Sequence, residues 1–168
     1  MQVLVMRALT LTQPWAGLVA AGIKPDENRK RPMIRREDFG TPFAIHAGRE
    51  VDERIYNRIA EIDPSCDICM VSADAAWVRL SRITSAVIAV ATVERAAQPF
   101  DGWLVDLHTG ERICAAAERR WAFGKVVYML RDVRALPAPV RCRRGHQSFW
   151  TLPDDEASAV IAQLARAA

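Results

Sequence analysis

Within eight positions the chain places a lysine, a glutamate and an arginine: Gly22-Ile-Lys24-Pro-Asp-Glu27-Asn-Arg29. A lysine beside a glutamate and an arginine in a cleft can hold an anion, shift its own pKa, or move a proton. In an extended segment Lys24, Asp26 and Asn28 face one way and Glu27 and Arg29 the other, so a bulge near Pro25 is needed to bring Lys24 and Glu27 together. The same residues also read as a solvated charge run on an edge strand.

Other candidates surround this run. His46, in Ile45-His-Ala-Gly48, reads either as a cleft group near Lys24 or as a core histidine bonded to backbone. Trp15, Trp121, Tyr128 and Trp150 could form a stacking wall for a base or simply fill the core, with Trp15 favoured for stacking by its place at a loop-to-helix entry. Gln13 and Gln147 carry the paired donor and acceptor that can read a base edge. Six basic residues lie between Lys24 and Arg36, including Arg35 and Arg36, and five between Arg131 and Arg144. Of the 23 cations 20 are arginine, whose planar fork suits phosphate oxygens, although a genome rich in G and C gives the same bias. Net charge is only +3. Cys66-x-x-Cys69 and Cys142-x-x-x-His146 lie too far apart to read as a compact zinc knuckle, so no metal and no cofactor are expected.

These residues must be positioned by a fold. With 168 residues, 51% hydrophobic and 26% charged, the composition is that of a globular chain and excludes disorder, collagen and disulfide miniproteins. One domain over 1–168 is expected. Apolar runs such as Ala86 to Val93 fall well short of the ~20 residues of a membrane span, and the N-terminus lacks a signal-peptide pattern, which predicts a soluble cytoplasmic protein. Strands are predicted at Arg7–Leu11, around Ile23–Arg29, at Phe43–Ala47, at Ala86–Val93 in a central place, at Lys125–Leu130 and at Ser148–Leu152. Helices are predicted after Gln13, at Val51–Ile62, Ala73–Leu80 and Ala115–Trp121, and after Pro153 as a C-terminal helix appended over 152–168. Phe100–Thr109 reads as loop or weak strand and Leu136–Pro139 as a rigid turn. Irregularly spaced strands and short helices point to an α+β fold, a small, mostly antiparallel barrel decorated with helices.

Leu9-Thr-Leu-Thr-Gln-Pro-Trp-Ala, Gly-x-Lys-x-x-Glu-x-Arg at 22–29 and Ile45-His-Ala-Gly48 together resemble the ASCH domain family, which has a PUA-like barrel fold. Trp121-x-Phe-Gly-x-x-Val-Tyr-Met-Leu-x-Asp-Val and Pro139-Val-x-Cys-x-x-Gly145-x-Gln147-x-x-Trp150 are similar to the closing strands of the same domain, so the resemblance spans Ala8 to Leu152. It implies RNA or a modified nucleoside as the partner, with no membrane. The cleft would be lined by Gln13, Trp15, Lys24, Glu27, Arg29 and His46, with Arg35, Arg36 and Gln147 adding contacts. One branch of the family hydrolyses the amide of 4-acetylcytidine with a lysine, a threonine three positions later and a distant glutamate. Lys24 matches that lysine, but Glu27 stands where the threonine nucleophile would be, and Pro25 replaces the threonine that usually follows the lysine. Other members act as nucleases. The resemblance therefore implies RNA or nucleoside binding, or alternatively a hydrolase in the same cleft with Lys24 and Glu27 as catalytic groups. The third group would be Glu94 or Glu118.

Overall fold

A computed structural model of the chain describes residues 5–142 and 144–166. Arg143 of the second basic segment and the last two residues of the expected C-terminal helix lie outside the described residues. The centre is strand β4 (Ala86–Phe100), whose first eight residues are buried on both faces, as its unbroken β-branched and apolar run predicts. It pairs antiparallel with β3 (Pro42–Val51) on one side and β7 (Val126–Arg141) on the other. Beyond β3 lie β1 (Arg7–Gln13), parallel to it, and β8 (Phe149–Thr151); beyond β7 lies β2 (Asp26–Arg29). The path β2-β7-β4-β3-β1-β8 curls into a half-barrel, extended at the far end of β4 by β5 (Trp103–Asp106) and β6 (Arg112–Ala115). This is the expected α+β, mostly antiparallel architecture.

Alternation along the strands sends side chains to two different packings. Leu9, Leu11, Ile45 and Ile88 point inward with Phe43, Tyr128 and Phe149, and helix α1 (Trp15–Ala20) closes that core with Ala16 and Val19. The other face, with Ala8, Ala44 and, across the register shift in β4, Val87 and Val90, meets Ala157 and Val160 of helix α4 (Asp154–Arg166). A third cluster joins Leu18 of α1 to Ile59 of α2 (Arg54–Ile62), Trp77 and Val78 of α3 (Ala76–Ser81), and Trp121. No helix among the described residues is long and apolar enough to cross a membrane.

Several local expectations are corrected. Val51 ends β3, exposed, and does not open the helix, which starts at Arg54. The predicted helix at Ala115–Trp121 is a single 3₁₀ turn, Ala116–Glu118, and the residues around it give β5 and β6, whose pairing with β4 overrides weak local preference. Leu136–Pro139 is no turn but lies inside β7, at a register shift opposite Val87 and Ala89, where prolines remove no ladder bond that the sheet requires. Its Leu136 packs into the core under α4.

Candidate functional site

The lysine reaches its place through the end of α1. Gly22, at φ +74°, turns the chain, and the backbone N–H groups of Ile23 and Lys24 both donate to the Leu18 carbonyl. Pro25 needs no N–H here, while its carbonyl accepts from Leu130, so β2 begins only at Asp26. The break lets Lys24 fold back: its Nζ donates to the Asp26 carbonyl and, at 3.0 Å, to Glu27 Oε2. The two side chains thus share one side, as the interruption at Pro25 requires. Glu27 Oε1 stands 2.9 Å from Arg29 Nε in an ion pair without hydrogen-bond alignment, and Arg29 Nη2 donates to the Thr10 carbonyl at 3.0 Å. The other face of β2 is structural. Arg119 grips the buried Asp26 carboxylate with a bidentate pair whose shortest contact is 2.7 Å, which also raises the Arg119 pKa. Asn28 accepts from the N–H groups of Phe123 and Gly124 and donates to the Trp121 carbonyl.

Two hollows that share Thr10, Thr12, Asn28 and Arg29 in their walls lie beside this row. The larger, about 700 Å³, runs between the ends of β1 and β3, the segment after β2 and residues 145–147. It continues the sheet face that α4 covers at Ala8 and Ala44; Thr10, Thr12, His46 and Gly48 line it, with His46 and Gly48 buried and Thr12 exposed. Arg29, Lys30, Arg31 and Arg49 line it with one carboxylate, Glu50. The inner recess, about 200 Å³, is lined by Thr10, Leu11, Thr12, Trp15, Glu27, Asn28 and Arg29.

His46 is buried between β1 and the segment after β7. Its Nε2 lies 2.8 Å from the Cys142 carbonyl, which can only accept, so Nε2 carries the proton and Nδ1 receives the Thr10 hydroxyl at 3.2 Å. Burial lowers the His46 pKa; the Cys142 carbonyl works against that shift and His146 adds to it.

Of the residues singled out in the sequence, Trp15, Glu27, Arg29, His46 and Gln147 line these hollows. Lys24 sits behind Glu27, 2% exposed, with its Nζ 5.6 Å from the Trp15 ring. Gln13 is fully buried: its amide donates to the Leu80 and Ile83 carbonyls and accepts from Gly17 N–H, so it ties α1 to the end of α3 and lines neither hollow. Arg35 and Arg36 lie apart from both hollows. Arg35 points outward to Glu37 at 2.8 Å, and Arg36 opens an exposed 3₁₀ turn. Lys30, Arg31 and Arg49 are the basic residues that, with Arg29, line the larger hollow. Of the four stacking candidates, Trp121, Tyr128 and Trp150 are core residues and Trp15 meets the recess. Glu94 and Glu118 are exposed and away from it. Thr10 and Arg49 were missed; the alternation Leu9-Thr-Leu-Thr, which puts Thr10 opposite the core leucines, was the available signal for the first.

Cys66 belongs to the cluster around Trp77 and Cys142 to the one under α4, and among the described residues no three metal-ligating side chains gather. No protein-family model matches the chain, and no curated protein matches it in sequence. Solved structures do match. The ASCH protein of Zymomonas mobilis is similar with a TM-score of 0.50 and 15% identity over 94% of both chains. A single-residue variant of that protein gives 0.50 and 14% over 94% of this chain and 96% of its own. The fold is ASCH-like.

Proposed function

We propose that this chain, with its ASCH-like fold, binds RNA or a modified nucleoside in the two hollows. The observation that carries the reading is the charge of the larger one: beside Arg29, which is paired with Glu27, three further cations, Lys30, Arg31 and Arg49, line it with the single carboxylate of Glu50. Phosphate oxygens meet Lys30, Arg31 and Arg49, and contacts of this kind position a strand without reading its sequence. A base enters the inner recess, where Trp15 offers a ring and Glu27 an acceptor for a base amino group. Lys24 holds Glu27 from behind and does not touch the ligand.

The test is titration of a fluorescein-labelled single-stranded RNA, with Arg31→Glu and Arg49→Glu weakening many sequences about equally. Binding indifferent to both charge reversals overturns the RNA reading and leaves a nucleoside pocket.

A hydrolase in the same cleft is favoured by one observation: Glu27 and Arg29 reach the recess together, an acceptor for a proton beside a cation for developing charge. The position of the family's threonine nucleophile holds no hydroxyl; the hydroxyls that line the recess belong to Thr10 and Thr12. Turnover of single-stranded RNA or of 4-acetylcytidine, lost in Glu27→Gln, which keeps an acceptor for Lys24 but cannot take up a proton as the carboxylate does, would support the hydrolase. Binding without turnover of either leaves a reader.

A further inference from the structure

We propose that the Thr10 hydroxyl is the positioning group of the cleft and that protonation of His46 releases the cleft wall at 145–147, so that the protein lets go of RNA as pH falls. The proposal rests on the RNA reading above. Thr10 Oγ1 meets three nitrogens: His46 Nδ1 at 3.2 Å, the indole Nε1 of Trp150 at 3.1 Å and the backbone N of His146 at 3.2 Å. An indole N–H and a backbone N–H can only donate, so they occupy both lone pairs of the hydroxyl. Its one proton must go to His46 Nδ1, which must be bare. The bond from Nε2 to the Cys142 carbonyl requires the same tautomer. One arrangement of protons satisfies every partner, and it holds four parts of the chain at one oxygen.

A proton added to Nδ1 destroys that arrangement. Three donors then face two lone pairs, and the hydroxyl proton has lost its acceptor. Trp150 cannot give way, because β8 pairs it with Ala8 of β1 and its ring packs edge-on to His46 with centroids 5.7 Å apart. His46 cannot give way either, being 1% exposed. The His146 N–H, on an exposed segment outside any strand, is the bond that parts. Gly145 shows how closely that segment is seated: a Cβ there would lie 2.8 Å from His46 Cε1 and 2.9 Å from Thr10 Oγ1. Once the bond is gone, Gly145, His146 and Gln147 no longer hold their side of the hollow.

The charged and titratable groups around the ring are few. From the wall itself comes His146, stacked at an angle on Trp150. From the end of β7 comes the Cys142 thiol, which burial keeps protonated and which Asp155 and Glu156 of α4 reach. Arg29 approaches through the Thr10 carbonyl, and Arg49 stands further along β3. β4 presents Ala86 and Val87, without charge. Burial lowers the His46 pKa, with His146 acting the same way, so the ring stays neutral until the medium is acidic. A rim histidine acting alone would do the reverse: a charged His146 would strengthen the hold on phosphate.

The experiment measures the affinity of the full chain for a fluorescein-labelled mixed-sequence single-stranded RNA from pH 8 to 5.5 at fixed ionic strength. Amide exchange of His146 and Gln147, corrected for its intrinsic pH dependence, is followed without RNA. Affinity should fall about three- to tenfold toward acid, the loss of one hydrogen bond, while exchange at His146 quickens. His46→Asn, whose amide oxygen can still accept from Thr10, should bind alike at every pH. Thr10→Ser should behave as the wild type, Thr10→Val should bind weakly throughout without pH dependence, and His146→Ala, which keeps its backbone N–H, should retain the fall. Affinity that rises or stays level toward acid, or a fall that survives in His46→Asn, overturns the proposal. If RNA fails to bind at any pH, the functional reading falls, and exchange decides the wall: acid-quickened in the wild type but not in His46→Asn sustains it, alike in both ends it.

Discussion

The worth of Lys24 and Glu27 depends on water. An exposed pair contributes about 0–1 kcal/mol, and truncating one would then leave the melting temperature almost unchanged. Here the side chains are 2% and 7% exposed, and Glu27 also faces Arg29, so removing the carboxylate strands a buried ammonium. Breaking such a pair costs about 3–5 kcal/mol. Glu27→Ala should therefore lower Tm by about 6–20 °C for a chain of this size, with a smaller loss in Glu27→Gln, which keeps an acceptor for Lys24. Calorimetry of the three proteins decides it; an unchanged Tm would mean that water reaches the pair. His46 sets a pH dependence of the same kind. Its pKa is lower in the folded chain than its usual 6.5, so below 6.5 the unfolded chain binds more protons than the folded one. The contribution of the neutral ring is fully present above that pH and is lost as the pH falls through 6.5 toward the folded value. Urea denaturation at pH 7.5 and 5.5 should show a drop that His46→Asn reduces.

Among elements, α1 is short and owes its position to close packing. A Cβ on Gly17 would lie 2.6 Å from the backbone N of Ser81 and 2.9 Å from the Trp77 carbonyl, both in α3, and backbone cannot yield as a side chain can. Gly17→Ala should cost about 1–3 kcal/mol, read as a lower urea midpoint with an unchanged slope. The basic segment after β2 has an equally specific anchor. The buried Tyr128 hydroxyl accepts from the N–H groups of Met33 at 2.8 Å and Ile34 at 3.0 Å, pinning the loop that carries Lys30 and Arg31 to the core of β7. Tyr128→Phe leaves both donors unpaired, costs about 1–3 kcal/mol and should speed amide exchange at 33 and 34 well before other core amides. Equal exchange in both proteins would show that the loop is held elsewhere.

For the whole molecule, net charge says little and its placement says more. Lys30, Arg31 and Arg49 converge on one hollow from two separate segments, whereas Arg29 is engaged with Glu27. Three phosphates neutralised on a single strand predict that log affinity falls with log salt at a slope of about −2. Arg49→Glu should flatten that slope, and Arg35→Glu should not; a slope near zero would instead indicate a nucleoside pocket without phosphate contacts.

Strong local signals were legible in the sequence because one physical cause dominates each of them. The β-branched run at Ala86–Val93 had to be a doubly covered strand, and the stripe of Ala157 and Val160 had to pack as a helix face. Pro25 marked where the edge strand could be interrupted, but a cleft pair and a solvated charge run stayed open for Lys24 and Glu27 until the fold brought them within 3.0 Å. Weak segments were decided by partners far along the chain: 103–106 and 112–115 became strands through pairing, and the Pro137–Pro139 run joined β7 where the register slips. The lining of the cleft was legible only in part, at Trp15, Glu27, Arg29, His46 and Gln147, and the rest belonged to tertiary structure. Gln13 and Gln147 carry the same amide, yet three backbone groups enclose the first and the second faces the hollow. Thr10 looks like any threonine of an alternating strand until His46, His146 and Trp150, from 36 to 140 positions away, close on its hydroxyl. Hydrophobic periodicity acts over neighbouring residues and leaves a pattern in the sequence, whereas hydrogen-bond saturation at one oxygen depends on which distant groups the fold delivers to it.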